Sequence, residues 1–180
     1  MKVLVCLSGG IDSATVLALM KEQQHECEVL LFDYAQLHII ELEYARKIAN
    51  GLVIHKIELA PMPLVDDVVF AGRNLVLASH AISIAAARRM DAVAFGCNQS
   101  DWERFPDCRP LFWKAVNQAA YDAYGVRVLL PLLRMTKAEV VIEARRLGVP
   151  LDRTWSCYDP QGDRPCGECL ACRVRKEAGA

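Results

Sequence analysis

Two short stretches of this chain carry residue types whose spacing can do chemistry. Near the C-terminal end, Cys157, Cys166, Cys169 and Cys172 are spaced C-x8-C-x2-C-x2-C. Two-residue spacers let neighbouring thiolates converge on one ion, and four thiolates close a tetrahedral zinc site with no position left for a substrate. A closed site of that kind is structural. Zinc binding, on the order of 10–16 kcal/mol in zinc-finger peptides, suffices to order a polar tail. Gly162 and Gly167 loosen the turns that bring the thiols together. A redox C-x-x-C pair has the same spacing, but it belongs near the start of a βαβ unit. Here the cysteines lie in a tail with no core of its own.

The second stretch is Cys6 to Leu17, CLSGGIDSATVL. Val3 to Leu7 reads as a buried strand and Ser13 to Gln24 as a helix, with Val16, Leu19 and Met20 on one face. Ser8 to Asp12 is then a tight strand-to-helix turn. Gly9 and Gly10 can adopt positive φ and let another group approach the backbone. The helix behind them offers free N–H groups and a positive dipole end, which together make an anion site. Ser8 and Ser13 add hydroxyl donors. The turn lacks the Gly-Lys-Ser/Thr ending of the Walker loop and the G-x-G-x-x-G of the dinucleotide turn.

These stretches need a frame to hold them. Further strands are expected at Glu28–Asp33, Val53–Leu59, Ala92–Gly96 and Val126–Leu130. Helices are expected at Ile39–Leu52, Leu75–Met90, Phe112–Tyr124 and Thr136–Leu147. The last opens on a capping box, Thr136 with Glu139, and stops at Gly148. This alternation predicts an α/β fold, a doubly wound parallel sheet. It fills residues 1–150, and residues 151–180 form a zinc-binding region packed on it as one functional unit. Ligands of such sheets bind beyond the carboxyl ends of the strands. The polar clusters fall there: Ser8–Ser13, Asp33–His38, Cys97–Arg109 and Met135–Lys137. Pro61 to Asn74 is the long connection within the sheet. Cys6 reads as core and Cys27 as surface, and Cys97 and Cys108 read as wall of the cleft.

With 180 residues, 53% of them apolar, the chain favours a single domain with a sizeable core. A net charge of −1 gives no footprint for direct nucleic-acid binding. No segment has the apolar length of a membrane span, and the N-terminal residues do not form a signal peptide. A cytoplasmic site is therefore expected. Thiols there stay reduced, so eight cysteines argue for metal or catalysis rather than disulfides.

The turn SGGIDS resembles the pyrophosphate loop (PP-loop) of N-type ATP pyrophosphatases, which adenylate a substrate oxygen. Combined with FDYAQLH, AGRN, FPDCRP, TKAEVV, TWSCYDP and CGECLACRVR, the likeness runs from Val3 to about Arg175 and points to the 7-cyano-7-deazaguanine synthase, or QueC, family. The resemblance implies an adenine-nucleotide α-hydrolase-like fold, a homodimer, structural zinc, and Mg²⁺ with ATP. It implies conversion of 7-carboxy-7-deazaguanine and ammonia to the 7-cyano base through an adenylated carboxylate and then an adenylated amide. Its ATP site falls on Leu7, Ser8, Gly9, Gly10, Ile11, Asp12, Ser13, Ala14 and Thr15, with adenine beside Phe32 and Asp33. Ser8, Asp12, Ser13 and Lys137 are the catalytic candidates, Asp12 holding Mg²⁺ or capping the helix and Lys137 reaching phosphates. Arg73, Asn74, Asp101, Asp107 and Arg109 are the substrate candidates, the last three as a polar knot after the fourth strand. His38 offers a base, but a lone loop histidine is more often a surface residue, and it is read as one.

The chain departs from the family at Ala35 and Leu37, where FDYGQRH is usual, and in a shortened Leu59–Arg73 connection. Other outcomes to weigh are an enzyme that stops at the amide, one acting on a related deazaguanine in phage or defence chemistry, another adenylating enzyme such as a tRNA thiolase, and a non-catalytic nucleotide sensor.

Overall fold

In the computed structural model, residues 1–61, 64–65 and 69–180 are described, residues 64, 65 and 69 by backbone alone. Much of the Pro61–Asn74 connection therefore lies outside the described residues.

The order of elements is β1 (Lys2–Cys6), α1 (Ile11–Glu22), β2 (Glu26–Asp33), α2 (Glu41–Ile48), β3 (Ile54–Glu58), β4 (Leu64–Val65), β5 (Val69–Phe70), α3 (Arg73–Ala87), β6 (Ala92–Ala94), α4 (Pro110–Tyr124), β7 (Arg127–Leu129), α5 (Lys137–Arg146) and α6 (Leu170–Glu177), with short 3₁₀ turns between. Five strands form one parallel sheet in the order β3-β2-β1-β6-β7. The doubly wound sheet expected from the alternation is the fold observed. β4 and β5 pair as a separate antiparallel hairpin, which the apolar pattern did not announce.

Successive strand residues point to opposite faces, and both faces are buried. Val3, Val5, Val29, Leu31 and Ala94 pack with Val16, Leu17 and Met20 of α1, Ala45 of α2 and Val140, Val141 and Ala144 of α5. Leu4, Leu30, Val93, Phe95 and Val128 pack on the other face with Ala78, Ala81 and Ala85 of α3 and Trp113 of α4. The small alanines of α3 let that helix lie close to the sheet. No helix among the described residues is long and apolar enough to cross a membrane.

Chain order reverses between β1 and β6. The crossovers after β1 run toward β2 and β3, and the later ones return to β6 and β7 on the other side. Diverging loops at that switch point open a crevice above the carboxyl ends of the strands. The capping box at Thr136 and Glu139 is present, with Glu139 N–H donating to Thr136 Oγ1 and Thr136 N–H donating to the Glu139 carboxylate. α1 begins earlier than its apolar pattern suggests. Gly10 sits at its N-cap and no side chain caps it, so Asp12 is not the cap. α2 is shorter than predicted because the chain turns at residues 36–40 before entering the helix. α6 was not anticipated.

Candidate active site

At the switch point lies a cleft of about 270 Å³. Its floor comes from the ends of three strands: Cys6 at the end of β1 with Leu7 after it, Phe32 on β2, and Phe95, Gly96 and Cys97 after β6. Two glycines let its walls approach. Gly9 has φ +93°, and a Cβ there would stand 2.3 Å from the Glu41 carbonyl oxygen, so α2 packs directly on the loop. A Cβ on Gly96 would stand 2.9 Å from the Ser13 nitrogen, so only a glycine lets the start of α1 rest on the end of β6.

The serines are tied into the turn. Ser8 N–H donates to Ser13 Oγ at 3.2 Å, Gly10 N–H donates to Ser8 Oγ at 3.3 Å, and Ser13 Oγ donates to the Gly10 carbonyl at 3.1 Å. Leu7, Ser8, Gly10, Ile11, Asp12 and Ser13 line the cleft. Gly9, Ala14 and Thr15 do not. Gly9 is packed against α2, Ala14 is buried in the core, and the Thr15 hydroxyl donates back to the Ile11 carbonyl at 2.7 Å.

Asp12 is the hub of one wall. Lys137 Nζ reaches its two carboxylate oxygens at 2.7 and 2.9 Å, and Asn98 Nδ2 donates to it at 3.2 Å. Lys137 stands at the start of α5, where Ser100 Oγ accepts from its backbone N–H at 3.0 Å. Asp101 lines the cleft beside this pair, and its carboxyl is pushed up to about 6, first by burial and then by the Asp12 charge.

The opposite wall holds Tyr34, His38, Glu41, Arg73 and Tyr158. Arg73 Nη1 donates to the Tyr34 hydroxyl at 3.4 Å. Gln36 fixes this corner: its side-chain carbonyl accepts from Tyr34 N–H at 2.9 Å, and its amide donates to the Phe32 carbonyl and to Glu41 Oε1. Burial pushes the Glu41 carboxyl up to about 7. His38 is buried, contrary to the surface position expected. It meets the rings of Tyr34 and Tyr158 edge-on, and burial, with the Arg73 charge, lowers it to about 4.

The polar knot predicted after the fourth strand is split. Asp101 faces the cleft. Asp107 instead accepts from the Asn74 N–H at 2.9 Å and so anchors the start of α3. Arg109 is exposed outside the cleft, donating to the Trp102 carbonyl at 2.8 Å. Asn74 lines the cleft and also donates to Cys108 Sγ at 3.3 Å. Asp33 lies outside the cleft, paired with Lys56 at 2.8 Å. Its carbonyl is occupied by Leu59 N–H, and that of Phe32 by Gln36. Cys97 and Cys108 are buried in the cleft wall, as expected, and the Cys97 thiol is held well above its usual range by hydrogen bonding to Cys108 and burial.

The last wall comes from the cysteine-rich tail. Trp155, Ser156 and Tyr158, with Leu170, Ala171 and Val174 of α6, line the cleft. The four thiol sulfurs of Cys157, Cys166, Cys169 and Cys172 lie within 4.8 Å of one another. A tetrahedral zinc–thiolate site needs sulfurs about 3.8 Å apart, given Zn–S bonds of about 2.3 Å. Sulfur pairs here stand at 3.5 and 4.0 Å. The N–H groups of Cys166 and Cys169 already point at thiol sulfurs, at 3.2 and 3.3 Å. The cluster therefore fits a tetrahedrally coordinated metal ion.

The sequence model described as "Queuosine biosynthesis protein QueC" matches residues 2–69 and 60–180. The chain belongs to the QueC family. The two matched pieces meet within the connection that the sequence reads as shortened. A 7-cyano-7-deazaguanine synthase of Prochlorococcus marinus (strain MIT 9303) is 37% identical over 203 aligned positions, covering 96% of this chain and 89% of that protein. The synthase of Nitrosococcus oceani is 35% identical, with 98% and 92% covered. Among solved structures, NMN synthetase from Francisella tularensis superposes with a TM-score of 0.61 at 19% identity, covering 93% of this chain and 70% of that one. That likeness supports the fold alone. Membership in the QueC family makes the chain an enzyme of the PP-loop fold.

Reasoning from sequence missed Tyr34, Gln36, Glu41, Asn98, Trp155, Ser156 and Tyr158. Five of them belong to stretches singled out for other reasons, FDYAQLH and TWSCYDP, so their place at a strand end and beside the cysteines was the available signal. Glu41 had none, since it reads as one more acid in the first turn of a surface helix.

Proposed function

We propose that this protein converts 7-carboxy-7-deazaguanine and ammonia to 7-cyano-7-deazaguanine at the expense of ATP, in the cytoplasm and as a homodimer. The observation that carries the reading is the convergence of the SGGIDS turn, Lys137, Arg73 and Asp101 on one cleft in a chain of the QueC family.

A carboxylate is a poor electrophile because its oxygen leaves badly. Transfer of AMP to that oxygen supplies a good leaving group and releases pyrophosphate. The negative charge that builds on the phosphates meets the first-turn N–H groups of Ile11, Asp12 and Ser13, the Ser8 and Ser13 hydroxyls and the positive end of α1, all preorganised. Adenine lies beyond the end of β2 against Phe32. Mg²⁺ arriving with ATP would take the Asp12 carboxylate, an oxygen donor of the kind that ion prefers, and would neutralise phosphate charge. Lys137, now paired with Asp12, would then be free to reach the phosphates.

Arg73 pairs with the substrate carboxylate, and Asp101 accepts from the guanine-like N–H edge, with Asn74 beside them. Asp107 acts on this site through Asn74, and Arg109 has no direct part in it. Ammonia displaces AMP to give the amide. Adenylation of the amide oxygen and loss of a second AMP leave the nitrile. Zinc on Cys157, Cys166, Cys169 and Cys172 holds the tail that closes the cleft.

Product masses from ATP, ammonium and the deazaguanine acid test the proposal. The nitrile with two AMP per product supports it. An amide with one AMP restricts it to the first half, and release of ADP and orthophosphate overturns it.

A further inference from the structure

The proposed reaction needs a nucleophilic nitrogen, yet at neutral pH its source is almost wholly ammonium, which has no lone pair. Some group at the cleft must accept a proton. Lys137 and Arg73 are cations, Asp12 is held by Lys137 and Asn98, Asp101 is taken by the N–H edge of the base in the reaction proposed, and His38 is buried as a neutral ring. We infer that Glu41 is that group: its carboxylate receives ammonium at the cleft wall and takes a proton from it. The inference rests on the function proposed above.

The geometry supports the assignment. Glu41 lines the cleft with a side-chain exposure of 12%. Its backbone carbonyl packs against Gly9 of the turn, and it lines the same cleft as Ser8 and Gly10 to Ser13, where an acyl adenylate would form. Gln36 Nε2 holds Oε1 at 3.0 Å, and His38 Nε2 lies 3.7 Å from the same oxygen. Among the described residues no donor engages Oε2, which is left for a ligand that brings N–H groups.

The groups facing the carboxyl are Tyr34 and His38 from the β2–α2 turn, Arg73 from α3 and Tyr158 from the tail. The aromatic rings suit a small cation passing through. The fixed Arg73 charge disfavours a second permanent one, so the nitrogen is better held after losing its proton. A base works best when its proton affinity lies near the working pH, and burial places Glu41 there, at about 7.

The step balances. Ammonium gives one proton to Glu41 Oε2, and the freed lone pair forms the C–N bond at the acyl carbon. The C–O bond to AMP breaks with its electron pair leaving on the phosphate oxygen. The second proton of the new –NH₃⁺ group and the one on Glu41 pass to water.

The test compares two half-reactions in the unaltered protein and in Glu41→Gln. Adenylation is read by pyrophosphate exchange into ATP with the deazaguanine acid and no ammonium. Amide formation is read with ammonium, and separately with hydroxylamine, which is already unprotonated at neutral pH. Glu41→Gln should lower amide formation with ammonium roughly 100-fold relative to exchange. Hydroxylamine should restore product to a rate that follows exchange. If Glu41→Gln loses ammonium and hydroxylamine reactions equally, or loses exchange as deeply as amide formation, Glu41 orients the acid and the inference is overturned. A full ammonium reaction in the variant also overturns it. No exchange in the unaltered protein instead overturns the function proposed, and this inference with it.

Discussion

The backbone N–H of Trp155 donates to the carbonyl of Gly9 at 2.9 Å. This bond ties the cysteine-rich tail to the turn at the floor of the cleft. It is reinforced by the Trp155 ring against Tyr44, and by Arg175, whose Nη1 donates to the Thr154 carbonyl and to the Thr154 and Ser156 hydroxyls. A metal on the four thiols would therefore shape the cleft and not merely stiffen a remote tail.

Metal analysis of purified protein should return about one zinc per chain. Chelation, or Cys169→Ser, should lower the melting temperature and weaken ATP binding together. Zinc well below one equivalent, or unchanged ATP binding in the metal-free protein, would contradict this coupling.

Asp12→Asn should cut AMP release roughly 100-fold or more, on the scale of one lost electrostatic contact at a reacting phosphate. Its cost to stability should stay at or below about 1 kcal/mol, because the Asp12–Lys137 pair is partly solvated. Urea unfolding separates the two effects; an unfolded variant would assign Asp12 to the fold.

Arg73→Ala should raise the KM for the deazaguanine acid roughly tenfold or more, the loss of a charge-assisted pair. Arg109→Ala should change it far less, since Arg109 lies outside the cleft. Steady-state kinetics on both variants decides between them. The opposite ranking would move the substrate to the Arg109 side.

Burial holds the carboxyls of Glu41 and Asp101 at about 7 and about 6. A carboxyl raised on folding favours the folded state while protonated. Its contribution is complete below the unfolded value near 4 and is lost as pH rises through about 6–7. Glu41→Gln with Asp101→Asn should flatten the fall in melting temperature between roughly pH 5 and pH 8. An unchanged slope would show that these carboxyls are not raised.

Ala35 sits at φ +56°, in the left-handed region where the family usually has glycine. A Cβ there costs on the order of 1 kcal/mol, partly offset by the greater freedom of glycine in the unfolded chain. Ala35→Gly should stabilise the protein by about 0.5 kcal/mol, read by urea unfolding. Leu37, where the family has arginine, is 67% exposed and is not among the residues lining the cleft, so Leu37→Arg should leave turnover with the acid unchanged.

The sequence alone determined the alternation of strands and helices, the capping box at Thr136, the glycine-rich turn between β1 and α1 and the four-cysteine cluster. All are local, carried by residues a few positions apart, where periodicity and chain stiffness dictate geometry. Tertiary structure decided which side chains meet. Asp12 joins Asn98 and Lys137 across 86 and 125 residues only because strand order places the ends of β1 and β6 side by side at the switch point. The same packing buries His38 against Tyr158, brings Glu41 to the cleft wall and leaves Arg109 outside, although Asp101 and Arg109 are close in sequence. Burial sets their protonation, and burial belongs to the packed molecule, not to any window of the chain.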